Sequence, residues 1–337
     1  MEEQLGRDYG NNNRAFLQAV MARGVLTFED GQQILAAILN VGRADEEDEV
    51  RADQIDEDIF RDYLRAASAA ASFFDYEIRT TVHQLTRKRV YAIVNTASDP
   101  QTQFATFYSP DELSFIKRVL DAMFDKFNTP RMEVMAITQM QAIKLARPPP
   151  PPQTQADDDD DDNDDNDEAT QTTNKDKGLK HSEVEEVLAN LVDGGWFEKS
   201  RHNFYSLTSR GLLELRPWLT ETFNDPDAEA DDWQRIKLCE ACRELLTIGL
   251  RCANPDCTFR IHDICQDAFW RARGATSCPK CEKDWTGKNY VGERAVTQTE
   301  AYQKGRRRSG VGGGGGGGGA SSSRGSAVQA ESDDEDE

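Results

Sequence analysis

Apolar residues recur at helical spacing over the start of the chain and then change to alternation. Phe16, Val20 and Met21 mark one helix, and Ile34, Leu35, Ile38 and Leu39 mark a second, for which Thr27 serves as N-cap. Ile55, Ile59, Phe60, Tyr63 and Leu64 mark a third. Two strand-like runs follow, Phe74 to Val82 and Val90 to Val94, joined across the basic turn Arg87-Lys88-Arg89. Three helices followed by a hairpin is the order of a winged helix, assigned to residues 13–107 after a flexible start at 1–12.

The pattern then repeats with an interruption. Ser109-Pro110-Asp111-Glu112 is a capping box with proline at the first helical position, opening a stripe of Leu113, Ile116, Leu120, Met123, Phe124 and Phe127. A second helix is predicted from Arg131 to Leu145. Beyond an acidic linker, Ser182-Glu183-Val184-Glu185 reads as another capping box, leading Val187, Leu188 and Leu191 to a stop at Gly194-Gly195. Trp196 to Lys199 and Phe204 to Leu207 predict a hairpin, and Thr208 caps a last helix through Leu212, Leu213 and Leu215. Residues 108–223 are therefore read as a second winged helix with a disordered insertion at 147–178, the alternative being a domain boundary at the linker.

The insertion runs from Pro148–Pro152 into an Asp/Asn tract that cannot bury enough apolar surface to offset chain entropy. A tail at 298–337 combines Lys304-Gly305-Arg306-Arg307-Arg308, a candidate nuclear import signal, with eight glycines and an acidic end. Ten acids lie between Asp157 and Glu168 and six between Glu331 and Glu337. Removing those 16 from the net charge of −21 leaves −5, so the remainder is mildly acidic. No apolar run approaches the roughly 20 residues of a membrane span, and Met1 to Asn13 does not resemble a signal peptide. A soluble intracellular protein is expected.

All seven cysteines fall within 43 consecutive positions, and with one histidine they form four pairs: Cys239/Cys242, Cys252/Cys257, His262/Cys265 and Cys278/Cys281. Each pair is close enough for one loop to present both side chains to one ion, so two tetrahedral Zn²⁺ sites use every cysteine. Disulfides would leave one cysteine over, and Cys278-Pro279-Lys280-Cys281 lacks the flanks of a thioredoxin-like motif. Serial and interleaved wiring are both open. The interleaved cross-brace is favoured, with Cys239, Cys242, His262 and Cys265 on one ion and Cys252, Cys257, Cys278 and Cys281 on the other. Residues 231–294 hold few aliphatics, so the metals are expected to supply much of this module's folding energy. The overall expectation is an α+β multidomain chain of tandem winged helices followed by a RING-like two-zinc module.

Winged helices suggest DNA binding, but the charges oppose it. The first candidate recognition helix carries Asp53, Asp56, Glu57, Asp58 and Asp62 against Arg61 and Arg65, and the second carries Glu183, Glu185, Glu186 and Asp193. Such helices are repelled by the phosphate backbone. Direct DNA binding is expected to be weak at most, with the winged helices docking other proteins.

Together with the zinc spacing, Gly195-Trp196-Phe197, Tyr205-Ser206-Leu207-Thr208 and Arg210-Gly211 resemble non-SMC element one, the RING-like subunit of the SMC complex dedicated to DNA repair. The resemblance spans about residues 10–295. It implies a nuclear subcomplex with a MAGE-like subunit and a kleisin subunit, recombinational repair, and E3 ubiquitin-ligase activity. A RING ligase forms no covalent intermediate and acts by positioning a ubiquitin-charged E2. Its E2 platform would use Leu238, Ile264, Trp270 and Pro279, each of which can also be read as core packing. Two residues depart from active RING ligases: Glu240 follows the first ligand and Glu282 the last. A non-enzymatic scaffold subunit is the rival function. A histone-tail reader of the PHD type shares the ligand order but commonly has tryptophan where this chain has Thr276.

Overall fold

The computed structural model describes residues 9–43, 49–96, 104, 106–149, 176–229 and 232–310. The Asp/Asn tract, the glycine run, the acidic end and residues 1–8 of the expected flexible start lie outside them. The described residues up to Thr297 form one compact unit, and those from Gln298 belong to a second. No helix among the described residues is long and apolar enough to cross a membrane.

The first module runs α1 (Asn11–Arg23), β1 (Val25–Thr27), α2 (Phe28–Asn40), α3 (Glu57–Ala71), β2 (Tyr76–Val82) and β3 (Arg89–Asn95). Thr27 caps α2 as read: its Oγ1 accepts from Asp30 N, and the Asp30 carboxylate accepts from Thr27 N. Asp56 caps α3 by accepting from the amides of Asp58 and Ile59. Ile55 therefore precedes the helix rather than belonging to it. It is buried in the same core as Phe60, the arrangement of a hydrophobic staple. Phe16, Val20, Leu26, Leu35, Phe60, Leu64 and Ile93 fill this core. Phe74 is not in the strand predicted for it. It sits in a 3₁₀ turn and is 65 % exposed, because Asp75 adopts a left-handed conformation and the strand begins at Tyr76.

The second module repeats this order: α4 (Pro110–Asp121), β4 (Ile137–Thr138), α5 (Gln139–Lys144), α6 (His181–Asp193), β5 (Phe197–Lys199) and β6 (Phe204–Leu207), followed by α7 (Ser209–Phe223). The two antiparallel sheets have matching topologies, β1-β3-β2 and β4-β6-β5. Each contains a short first strand, β1 or β4, that the sequence reading did not identify. The predicted helix from Arg131 to Leu145 shrinks to α5. Ile137 and Thr138 pair with Tyr205 and Phe204, and Thr138 forms a capping box with Gln141. The residues before β4 are irregular, with Met135 at positive φ. The cap of α6 also lies earlier than read: Glu183 reaches back to the amide of Lys180, leaving Ser182 inside the helix.

The third element group holds β7 (Gly249–Arg251), β8 (Arg260–Ile261), α8 (Asp263–Arg273), β9 (Tyr290–Val291) and a short α9 (Arg294–Thr297), with strand order β8-β7-β9. It does not have a separate core. Ile236, Leu246, Leu250, Phe259, Ile261 and Val291 continue the core formed by Phe115, Val119, Phe124, Leu188 and Leu215 of the second module. The few aliphatics of this segment are explained by that sharing. Helix α7 is the common wall: Leu213 packs on Ala92 and Val94 of β3, while Arg216 reaches the carboxylate of Glu244 and the carbonyl of Arg243.

In the second unit, Glu300–Gly310 forms α10 where an unstructured tail was expected. An i,i+4 pair between Glu300 and Lys304 at 2.8 Å supports this polar helix.

Candidate metal centres

The two Cys-x-x-Cys segments fold into the same turn. Cys239 N donates to Glu244 O and Arg243 N to Cys239 O, both at 2.8 Å; Cys278 N donates to Lys283 O at 2.8 Å and Glu282 N to Cys278 O at 2.9 Å. In each turn the residue after the second cysteine has positive φ, Arg243 at 62° and Glu282 at 60°. The turn leaves both thiols of a pair on one side of the backbone. The His262/Cys265 pair uses another device: His262 is the N-cap of α8 and Cys265 lies in its first turn, where the helix dipole favours a thiolate.

These turns bring the ligands together as two interleaved quartets, Cys239, Cys242, His262, Cys265 and Cys252, Cys257, Cys278, Cys281, with the ligand atoms of each within 4.8 Å of one another. Tetrahedral zinc, with Zn–S of about 2.3 Å and Zn–N of about 2.0–2.1 Å, requires ligand separations of about 3.6–3.8 Å. The observed separations straddle that range: 3.4 Å for Cys252–Cys281, 3.6 Å for Cys257–Cys278, and 3.3 and 3.9 Å from His262 Nδ1 to the sulfurs of Cys242 and Cys265. The donor set therefore fits two structural zinc ions.

The environment supports the charged ligands. His262 N donates to Cys239 Sγ and Asn254 N to Cys252 Sγ, each at 3.4 Å. Without a cation, the clustered thiols compete for charge. Hydrogen bonding from the Cys242 thiol holds Cys239 down, while Cys242 itself is pushed up, chiefly by that partnership. Burial likewise raises Cys257. A bound divalent ion removes this competition by deprotonating coordinating thiols.

An ion cluster supports the second quartet. Glu133, 1 % exposed, accepts from Arg260 Nε at 2.7 Å and Nη2 at 2.5 Å, pairs with Lys237 at 3.1 Å, and lies 3.7 Å from Arg251. Trp233 Nε1 adds a further hydrogen bond at 3.1 Å. Burial alone would raise the Glu133 pKa, but the hydrogen bonds and charge of Arg260, joined by Lys237 and Arg251, hold it at about 2. Three cations on one carboxylate leave a surplus of two positive charges. Arg260 also donates to the carbonyl of Cys257 and Arg251 to that of Pro255, beside the all-cysteine quartet. Four thiolates on Zn²⁺ carry two negative charges, so the surplus balances the loaded site.

The four expected E2 contacts are spread across this module. Leu238 is 39 % exposed; Ile264 and Pro279 are half-buried, flanking ligands of different quartets. Trp270 is half-buried in a cluster with Phe259, Phe269 and Trp285, and its indole N–H has no hydrogen-bond partner among the described residues. Glu240 pairs with Arg243 at 2.8 Å and with Lys280 at 3.0 Å, fastening the two Cys-x-x-Cys turns to each other. Sequence reading did not find Glu133 or Arg260. A lone Glu carries no motif, and Arg260 is one of five arginines between Cys239 and Cys281, with nothing in their spacing to single it out.

A family model described as "Nse1 non-SMC component of SMC5-6 complex" matches residues 13–215, and one described as "RING-like domain" matches residues 239–281. The chain belongs to the Nse1 family. The "Non-structural maintenance of chromosomes element 1 homolog" of Homo sapiens is 23 % identical to it over 81 % of this chain and 83 % of that protein. The "Non-structural maintenance of chromosomes element 1" of Schizosaccharomyces pombe is 22 % identical over 65 % and 74 %. Among solved structures, a chain from an "Nse1-Nse3-Nse4 complex" shares the fold with a TM-score of 0.59 and 18 % identity, over 83 % of this chain and 99 % of that one. The expected resemblance to non-SMC element one is thereby met, and the RING-like match covers all eight zinc-site residues of this Nse1-family chain.

Proposed function

We propose that this chain is a RING-type E3 ubiquitin ligase subunit of an SMC5-6 complex, acting in the nucleus in DNA repair and recombination. The observation that carries the ligase reading is the pair of interleaved quartets, next to whose ligands lie Leu238 and Pro279, with Ile264 and Trp270 in α8. Such a platform holds a charged E2 and its thioester in a reactive arrangement, so its catalytic contribution is positioning. Cys239, Cys242, His262 and Cys265 take one zinc and Cys252, Cys257, Cys278 and Cys281 the other. Neither quartet has an open position, so the metal is a scaffold.

We read the two repeated helix–strand modules, residues 13–107 and 108–223, as winged helices that dock proteins. By likeness to the assembly named for the solved relative, the partners are a MAGE-like Nse3-type subunit and a kleisin Nse4-type subunit. Direct DNA binding is weak at most. The arginines of α3 are paired with its own acids, Arg61 with Asp58 and Arg65 with Asp62, and Lys88 of the first wing pairs with Glu29.

A scaffold function is favoured by one specific contact. Lys280 is held by Glu240 and Thr258, and Glu282 occupies the position after the last ligand. Lys280 is thereby already engaged, and the next cation, exposed Lys283, stands one position beyond the one that bridges E2 and ubiquitin in active RING ligases. The deciding experiment is ubiquitin discharge from a panel of charged E2 enzymes, with the chain alone and with its Nse3-type partner, using Leu238→Ala and Pro279→Ala as controls. Acceleration lost in both variants supports the ligase. No acceleration by any zinc-loaded, partner-bound preparation supports the scaffold.

A further inference from the structure

The wing between β2 and β3 of the first module makes its polar contacts with the zinc module around the first quartet. Gln84 lies in this wing and is 8 % exposed. Its Nε2 donates to Leu245 O at 3.2 Å, while its Oε1 accepts from Thr247 N at 3.1 Å and Ile248 N at 2.9 Å, with the Thr247 hydroxyl at 3.4 Å. Three residues along in the same wing, Arg87 donates to Ile264 O at 2.6 Å. Ile264 lies between the ligands His262 and Cys265.

The Leu245 carbonyl has a second donor, His262 Nε2 at 3.1 Å. A carbonyl oxygen only accepts, so this contact places the imidazole proton on Nε2. The lone pair then lies on Nδ1, the nitrogen that faces the sulfurs of Cys242 and Cys265. An outer-shell acceptor of this kind selects the tautomer and fixes the ring of a ligating histidine. Here the acceptor belongs to the segment Leu245–Ile248, and the side chain that clamps both ends of that segment comes from position 84.

We propose that Gln84 is a positioning residue of the first zinc site: it holds the Leu245 carbonyl that keeps His262 in its ligating tautomer, making retention of that ion depend on this one side chain of the first module's wing. The second quartet has no contact with this wing among the described residues and is held instead by the Glu133 cluster. Loss of Gln84 therefore loosens one ion and leaves the other in place.

The test uses the full zinc-loaded chain, a chelator and an alkylating reagent, with each cysteine's modification followed by peptide mass spectrometry. Bound thiolates are protected until the ion leaves. In Gln84→Ala, Cys239, Cys242 and Cys265 should be alkylated about 10–100-fold faster, the range for loss of an outer-shell partner. Cys252, Cys257, Cys278 and Cys281 should keep the wild-type rate. Gln84→Glu has the same shape and retains the acceptor for Thr247 and Ile248, but loses the donor to Leu245; it should show the same selectivity with a smaller change in folding. Leu35→Ala, which loosens the first module away from the wing, should leave the ratio between the two cysteine sets unchanged. Equal acceleration of all seven cysteines, no acceleration, or the same selectivity in Leu35→Ala would overturn the proposal.

Discussion

Glu133 and Arg260, 127 positions apart in the chain, share two hydrogen bonds of 2.7 and 2.5 Å with both side chains essentially out of solvent. The pair joins the segment before β4 to a strand of the zinc module. A further bond from Gly292 N to Glu133 O at 2.7 Å ties down the same residue's backbone. Removing one member of a buried pair leaves an uncompensated charge and costs about 3–5 kcal/mol. Glu133→Gln should lower the urea midpoint by a corresponding amount, and Glu133→Leu should not recover it, because three cations would remain.

The same carboxylate gives a pH dependence of defined sign. Its folded pKa of about 2 lies below its ordinary value of 4.5. The stabilisation is complete above pH 4.5 and is lost as the pH falls through the folded value. Between about pH 5 and pH 2 the stability of the wild type should therefore fall more steeply than that of Glu133→Gln. Parallel acid-unfolding curves would show that Glu133 does not titrate as described.

Chelation of zinc should reach beyond the zinc module. Residues 236–291 share one core with α4, α6 and α7, so loss of the metals should expose amide hydrogens in β6 and α7 as well as in β7 and α8. Hydrogen exchange before and after chelator addition checks this. Protection lost only within 239–281 would show that the second module stands without its neighbour.

Leu238→Ala and Trp270→Ala should separate surface from core. Leu238 is 39 % exposed, so its truncation should cost under about 1 kcal/mol, whereas truncating Trp270 within its aromatic cluster should cost about 3–5 kcal/mol at full burial and proportionately less here. Thermal unfolding of the two variants makes the comparison. A loss of E2 discharge in Leu238→Ala at unchanged melting temperature would assign it to a binding surface.

Gly31 sits where α2 meets α3. A Cβ there would lie 2.1 Å from Phe60 Cε2, so Gly31→Ala must displace a fully buried ring and should destabilise the chain by about 1–3 kcal/mol despite alanine's better helix propensity. Chemical denaturation measures it.

Elements governed by local chemistry were legible in the sequence. Thr27, Ser109 and Thr208 cap the helices they were expected to cap, and ligand spacing grouped the zinc quartets as the fold does. Elements governed by distant partners were not. The residues before Thr138 have helical apolar spacing, but Glu133 is drawn into the ion cluster and Ile137 into a strand pair. β1 and β4 are too short for alternation to register.

At the base of the acidic insertion, Leu179 N donates to Ala146 O at 2.8 Å, and Arg118 binds the carbonyls of Leu145 and Ala146 together with the carboxylate of Asp176. The two sides of the insertion, Leu145–Ala146 and Asp176–Leu179, are thus latched to one another by residues of the module itself. Closing a flexible span costs only about 0.6 kcal/mol more for each doubling of its length. A sequence inserted between these two sides is therefore nearly invisible to the fold. Changes of length there should leave α5 and α6 in their places.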